Sequence, residues 1–404
     1  MADTRPSLFL KRGEERRLRA GHLWVFSNEV DTQRSPLKDF TPGQDAILRD
    51  HGGQAIGSVY VNPHSLISAR LVSRDAERAL DESLLMHRLN LALALRQAHF
   101  DAPYYRLVHG DGDGLSGLVI DRYGDTCVVQ PNTAGMDLHL DNILQALSRV
   151  VEPEHILVRP DGAMREFEGL PRDEPRWLGD ASPEHLEIRE NGLTFQVPAL
   201  SGQKTGWYFD HRANRARLAP YVRGLRVLDV FSYAGAWGLQ ALAQGAESVT
   251  AVDSSEQALD SLDANAAHNG LSDRVTTIEG DAFEVLQALR QERHRFDVVI
   301  LDPPAFVKRK KDLKAGLGGY RRLNQLALQV LEKNGSLITA SCSSHVDDQA
   351  LLGEAVAAAR HVDRSLQLVE RGGQAPDHPE HPAIPETRYL KALFTRVAPA
   401  WSTP

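Results

Sequence analysis

The chain has 404 residues, 42% of them hydrophobic and 25% charged, with a formal net charge of −8. That composition excludes a disordered or fibrous protein and leaves room for about two or three packed domains. Two cysteines, Cys127 and Cys342, are too few for a disulfide framework or a tetrahedral cysteine site, so no metal is expected. No stretch approaches the ~18 consecutive apolar residues of a membrane span, and the N-terminal residues lack a signal-peptide core, so the expectation is a cytoplasmic protein with no membrane partner. The charge is unevenly spread: Pro304 to Arg322 holds seven basic residues against one acid, so this segment is +6 and the remainder −14.

In chain order, residues 1–75 carry short β-rich runs such as Ile56-Gly-Ser-Val-Tyr-Val between proline and glycine turns, which predicts a small β-barrel. A basic cluster lies there: Lys11, Arg12, Arg16, Arg17 and Arg19. Residues 76–197 read as an α+β region. It opens with a helix from Asp81 to His99, on the spacing of Leu84, Leu85, Leu89, Leu91, Leu93 and Leu95, and continues with strand-like runs at Gly117-Leu-Val-Ile and Thr126-Cys-Val-Val. From residue 198 to 404 short apolar strands alternate with helical stretches, the signature of an α/β domain with a mainly parallel Rossmann-like sheet. Five strands end in order on Phe231, Asp253, Asp281, Asp302 and Cys342, which doubly wound topology gathers at one crevice.

The turn Phe231-Ser232-Tyr233-Ala-Gly235 carries aromatics where a dinucleotide fingerprint carries glycines, so it predicts a nucleoside cofactor other than a nicotinamide. Asp253 is placed for the two hydroxyls of a ribose, with the helix N-cap of Ser254–Asn269 as its plainer role. Asp281, followed by Ala282, is placed for an adenine amine, or again for a cap. Gly202-Gln-Lys204-Thr-Gly-Trp-Tyr208-Phe-Asp210-His-Arg212 reads as a lid over the cofactor, with a solvent-exposed connector as the competing view.

Asp302-Pro-Pro304 puts a carboxylate at a strand end and stiffens the loop beyond it. Enzymes that methylate exocyclic amines place an aromatic directly after such prolines, whereas here Ala305 precedes Phe306. Cys127 reads as a small core hydrophobe. Cys342, among hydroxyl residues at the crevice mouth, reads as a nucleophile: a thiolate adding to carbon 6 of a pyrimidine makes carbon 5 reactive toward a methyl cation donor. Asp302 would hydrogen-bond the ring during that addition. Lys308, Arg309, Lys310 and Lys311 follow within a few residues and read as a phosphate clamp.

The strings GQKTGWYFDHR, VLDVFSYAGAWG, AVDSSEQALDSLDANAAHNG, LDPPAFVKRKKDL, SCSS and APDHPEHPAIPETRYLKALF resemble the ribosomal RNA large-subunit methyltransferase I family. The N-terminal LKRGEERRLRAGHLWVFSNEV and the middle VHGDGDGLSGLVIDRYGD resemble it too. The resemblance implies an N-terminal PUA domain, a central α+β domain and a C-terminal methyltransferase domain that uses S-adenosylmethionine to make 5-methylcytosine in 23S ribosomal RNA. It implies Cys342 as nucleophile with Asp302 beside it. The cofactor would lie against Phe231, Ser232, Tyr233, Gly235, Asp253, Ser254, Asp281, Ala282 and Asp302, under Lys204, Tyr208, Asp210 and Arg212. Arg16, Arg17 and Lys308–Lys311 would contact RNA, and a homodimer is left open. Methylation of another RNA position or of an exocyclic amine, and a non-catalytic assembly factor, remain as alternatives.

Overall fold

A computed structural model describes residues 5–179, 182–202 and 205–400. The described residues form two compact units. One holds those up to Leu186 together with Pro198–Trp207 and Pro376–Thr387; the other holds Glu187–Val197, Tyr208–Ala375 and those from Arg388 on. Among the described residues no helix is long and apolar enough to cross a membrane.

In the first unit, strands β1 (Ser7–Phe9), β2 (Trp24–Phe26), β3 (Gln44–Arg49), β4 (Ala55–Val61) and β5 (Ile67–Ser73) form a sheet in the order β1-β3-β4-β5-β2. A bridge between Leu10 and Val30, just beyond the two edge strands, ties those edges together as barrel closure requires. Leu8, Val25, Leu48, Val59 and Leu71 fill its interior.

The same unit continues with helix α1 (Glu82–His99), strands β6 (Tyr104–His109), β7 (Leu118–Tyr123) and β8 (Thr126–Pro131), helix α2 (Leu140–Val151), and strands β9 (His155–Val158) and β10 (Arg176–Leu178). The strands line up as β10-β9-β8-β7-β6. Asp81 caps α1 by accepting from the Leu84 N–H. The buried stripe of α1 is narrower than its leucines suggest. Leu85, Leu89 and Ala92 face the core with Arg96, whose guanidinium ion-pairs with Asp113, while Leu91 is 56% exposed. Cys127 lies in this core and burial pushes its thiol up to about 12, so it is an inert apolar filler.

Strands β11 (His185–Glu190) and β12 (Leu193–Pro198) pair as a hairpin across Asn191-Gly192, both at positive φ as a tight two-residue hairpin turn requires. The chain crosses between units within β11, so most of this hairpin belongs with the second unit rather than with the central region.

The second unit carries β13 (Arg226–Val230), helix α3 (Ala236–Ala243), β14 (Ser248–Asp253), α4 (Glu256–His268), β15 (Val275–Glu279), α5 (Ala282–Gln291) and β16 (Phe296–Leu301). It continues with α6 (Leu313–Val330), β17 (Leu331–Ser341), α7 (Asp348–His361), β18 (Arg364–Gly372) and β19 (Lys391–Pro399). The sheet order is β15-β14-β13-β16-β17-β19-β18, with β19 alone antiparallel to its neighbours. This is the expected α/β arrangement, a mainly parallel seven-stranded sheet. Its strands are continuous apolar runs such as Val298, Val299, Ile300 and Leu301 because helices cover both faces.

Candidate active site

The carboxyl ends of β13, β14, β15, β16 and β17 lie along one edge of the sheet, which brings the turn after β13, Asp253, Asp281, Asp302 and Cys342 to that edge. The turn is unusually bent. Phe231, Tyr233 and Gly235 all have positive φ, and two of these are bulky residues that pay a steric penalty there. Two carboxylates hold it: Asp253 accepts from the Tyr233 and Ser255 N–H groups at 2.9 and 3.0 Å, and Asp229 accepts from the Gly238 N–H at 2.8 Å. Ser255, not Asp253, caps α4 by accepting from Ala258, so the helix starts at Glu256 and Asp253 is left to face the edge. That corrects the capping role read for it. Ser254 beside it is exposed.

Asp281 does cap its helix, accepting from the Phe283 and Glu284 N–H groups through one oxygen, and Ala282 is buried at the first helical position. The segment read as a single lid divides after Trp207. Lys204 lies outside the described residues, Trp207 is buried, and Tyr208–Arg212 belongs to the second unit. Within it Asp210 accepts from the Tyr389 hydroxyl at 2.7 Å, which secures the loop. The Arg212 side chain turns to Glu190 and the Arg189 carbonyl, so its guanidinium serves the hairpin, not the cofactor edge as expected. Tyr208 meets Tyr233 edge-on at 5.6 Å. Burial, then Tyr233, Asp210, Asp302 and Cys342 around it, push its phenol upward, so it stays a neutral donor.

Sequence reasoning missed the residues that hold Asp302. His211 Nε2 stands 3.2 Å from one carboxylate oxygen, and the Trp237 indole donates to the other at 3.0 Å. Burial alone would raise this carboxyl, but His211 and the indole outweigh it and hold it below the usual carboxylate range. The clue lay in the string itself, since His211 and Trp237 sit in the two motifs quoted for the lid and the turn. Beyond Asp302, the proline loop rests on α6. A side chain at Gly316 would meet the Phe306 carbonyl at 2.9 Å. The Phe306 ring packs on Tyr320 at 4.8 Å, turned into the core.

Cys342 is half-buried at the end of β17, and the residues on either side of it are locked. Ser341 donates to the Tyr320 hydroxyl at 2.8 Å, Ser343 Oγ lies 3.0 Å from the same hydroxyl, and the Val307 N–H donates to Ser343 Oγ. The Ser343 N–H also donates to Ser341 Oγ at 3.2 Å, so the chain turns at Cys342 as it leaves the strand.

The second unit fits S-adenosylmethionine. Asp229, Asp253, Asp302 and Asp210 form an acidic surround suited to a ligand with sulfonium and ammonium charges, and two buried oxygens, Asp229 Oδ1 in β13 and Ser232 Oγ in the turn, have no protein partner.

A family model of S-adenosylmethionine-dependent methyltransferases matches residues 163–396, and a PUA-like domain model matches residues 8–74. The ribosomal RNA large subunit methyltransferase I of Photobacterium profundum is 36% identical over 96% of this chain and 98% of its own length. That of Vibrio cholerae is 36% identical over 97% and 99%. The chain belongs to the ribosomal RNA large subunit methyltransferase I family. The crystal structure of SMU.776 complexed with SAH shares the fold, with a TM-score of 0.83 at 21% identity over 97% of this chain and 100% of that one. For a methyltransferase of this family the cofactor is S-adenosylmethionine.

The basic residues differ in what they offer. Lys308, Lys310 and Lys311 are exposed, whereas Arg309 ion-pairs with Asp312 at 2.9 Å. Arg16 is exposed, but Arg17 ion-pairs with the buried Glu29 at 2.7 Å.

Proposed function

We propose that this methyltransferase acts on large-subunit ribosomal RNA and forms 5-methylcytosine through a covalent bond from Cys342 to carbon 6 of the target base. The observation that carries the reading is the presentation of Cys342. It stands at a strand end next to that of Asp302, between two serines pinned to Tyr320, so the thiol keeps a fixed bearing. Asp302, held ionised, accepts from the exocyclic amine of cytosine and orients the ring. The Cys342 thiolate adds to carbon 6 and pushes electron density to carbon 5. Bound S-adenosylmethionine supplies the methyl group that carbon 5 takes up. A base then removes the carbon-5 proton, and the returning electron pair expels the thiolate.

The packing of the Phe306 ring against Tyr320 weighs against amine methylation, which calls for an aromatic directly after the prolines as a stacking platform. Asp253 bears on the ribose and Asp281 on the adenine in this reading, with Phe231, Tyr233 and Gly235 as the floor. Arg16 and the exposed lysines 308, 310 and 311 contact RNA phosphates. A substrate in the large ribosomal subunit implies a cytoplasmic enzyme.

The test is Cys342→Ala with RNA carrying 5-fluorocytosine. The unsubstituted enzyme is expected to form a denaturation-resistant adduct and the variant none, with methylation reduced at least 1,000-fold, on the order seen for loss of a nucleophile. Full activity in the variant would overturn the covalent route.

A further inference from the structure

Lys391 was singled out by nothing in the sequence, yet it is a lysine only 3% exposed. Buried lysines need partners, and this one has them in one place. Its ammonium donates to the Ser343 carbonyl at 2.6 Å and to the Tyr389 carbonyl at 2.7 Å. Across the antiparallel β17–β19 pairing it stands opposite Ser341. Its Nζ is therefore bonded to the backbone of the residue that follows Cys342, and its strand partner is the residue that precedes it.

We propose that Lys391 is the positioning residue of the Cys342 thiolate: it anchors the turn that presents the sulfur and supplies the positive charge that favours its ionised form. The inference rests on Cys342 being the nucleophile. Burial lowers the ammonium to about 8, and the neighbouring Cys342 works in the opposite direction, as a cation–anion pair does. The other charges around Lys391 are Asp347 and Asp348 at the start of α7 and Arg388 on the preceding segment. Arg388 ion-pairs with Asp348 at 2.9 Å, which offsets part of that acid's pull, and Cys342 acts on the ammonium more strongly than either aspartate. A proton held on Lys391 at neutral pH thus lowers the cost of making the thiolate before RNA arrives.

The experiment reads iodoacetamide alkylation of the Cys342 peptide by mass spectrometry, at pH 7 and pH 10, without RNA or cofactor. Lys391→Met is expected to slow alkylation about tenfold at pH 7 and to match the unsubstituted chain at pH 10, where thiols ionise unaided and Lys391 is neutral. Lys391→Arg keeps the charge and is expected to stay within about threefold at pH 7. Equal slowing at both pH values would mean that Lys391 only shapes the turn and would overturn the proposal. The unsubstituted chain gives a second reading that survives a misfolded variant. An ordinary thiol gains about thirtyfold between pH 7 and pH 10, and a supported one less than about tenfold; a gain of thirtyfold or more would also overturn it. Because alkylation needs no substrate, an expected pH pattern in an enzyme that makes no 5-methylcytosine would sink the functional reading and leave this one standing.

Discussion

Asp229 is a wholly buried carboxyl beneath the cofactor turn, with one oxygen on the Gly238 N–H and the other without a protein partner. Burial pushes it up to about 7 against that hydrogen bond, and Asp302 and Asp253 nearby add to the rise. A carboxyl whose folded value exceeds its unfolded one binds more protons in the folded state, so folding stability falls as pH rises from about 4 to about 7. Above that the penalty is constant, on the order of a few kcal/mol before relaxation is allowed for. Asp229→Asn keeps an acceptor for Gly238 and removes the charge. In thermal melts without cofactor the variant is expected to gain several degrees over the unsubstituted chain at pH 8 and little at pH 5. Calorimetry is expected to show weaker S-adenosylmethionine binding, because the negative surround has lost a member. An equal gain at both pH values would mean that Asp229 titrates in the ordinary carboxylate range and is ionised in the folded state at pH 5 as at pH 8. The role of Asp229 was not legible in the sequence, since nothing local reveals that its second oxygen is left without a protein partner.

At the scale of elements, the proline loop and α6 show how a glycine can serve packing against helix propensity. Gly316, Gly318 and Gly319 all lie in one helix, where each glycine costs about 1 kcal/mol relative to alanine. Gly318 has open space where a side chain would go, whereas Gly316 would meet the Phe306 carbonyl and Val307. Gly318→Ala is therefore expected to raise the melting temperature by a few degrees. Gly316→Ala is expected to lower it, and to lower kcat by displacing Asp302-Pro-Pro304. A rise in both would show that the loop yields freely. The strand ends were legible in the sequence because buried parallel strands are uninterrupted apolar runs, and five of them stopped on residues with chemistry. What was not legible depends on partners distant in sequence: the turn of Arg212 toward Glu190, the division of the lid after Trp207, and the pairing of Lys391 with the Cys342 turn through an antiparallel strand that returns after β18. The aromatics at positive φ were equally hidden, since Phe231 and Tyr233 are the residue types least expected there.

At the scale of the whole molecule, a chain of net charge −8 must bind a polyanion through a local excess of positive charge. The segment 304–322 supplies +6 of formal charge, but the structure reduces what is usable. Arg309 is tied to Asp312 and Arg321 to Glu354, Arg322 lies over the Phe283 ring, and Arg17 in the first unit is tied to Glu29, so the exposed lysines 308, 310 and 311, with Lys314 at the start of α6, carry the available charge of this segment. Each cation that neutralises a phosphate on single-stranded RNA contributes about 0.7 to the slope of log K against log salt. Replacing lysines 308, 310 and 311 with alanine is expected to weaken RNA binding at low salt and to make the slope shallower by about 2. Arg309→Ala is expected to change it by much less, because its pair with Asp312 already offsets its charge. Binding titrations at several salt concentrations between 0.05 and 0.3 M measure both slopes. An unchanged slope in the triple variant would move the phosphate clamp away from this loop and leave the barrel, with Arg16, as the surface that meets the backbone. A shallower slope with unaltered kcat at saturating RNA would assign the lysines to capture alone, apart from the fixed geometry of Asp302 and Cys342.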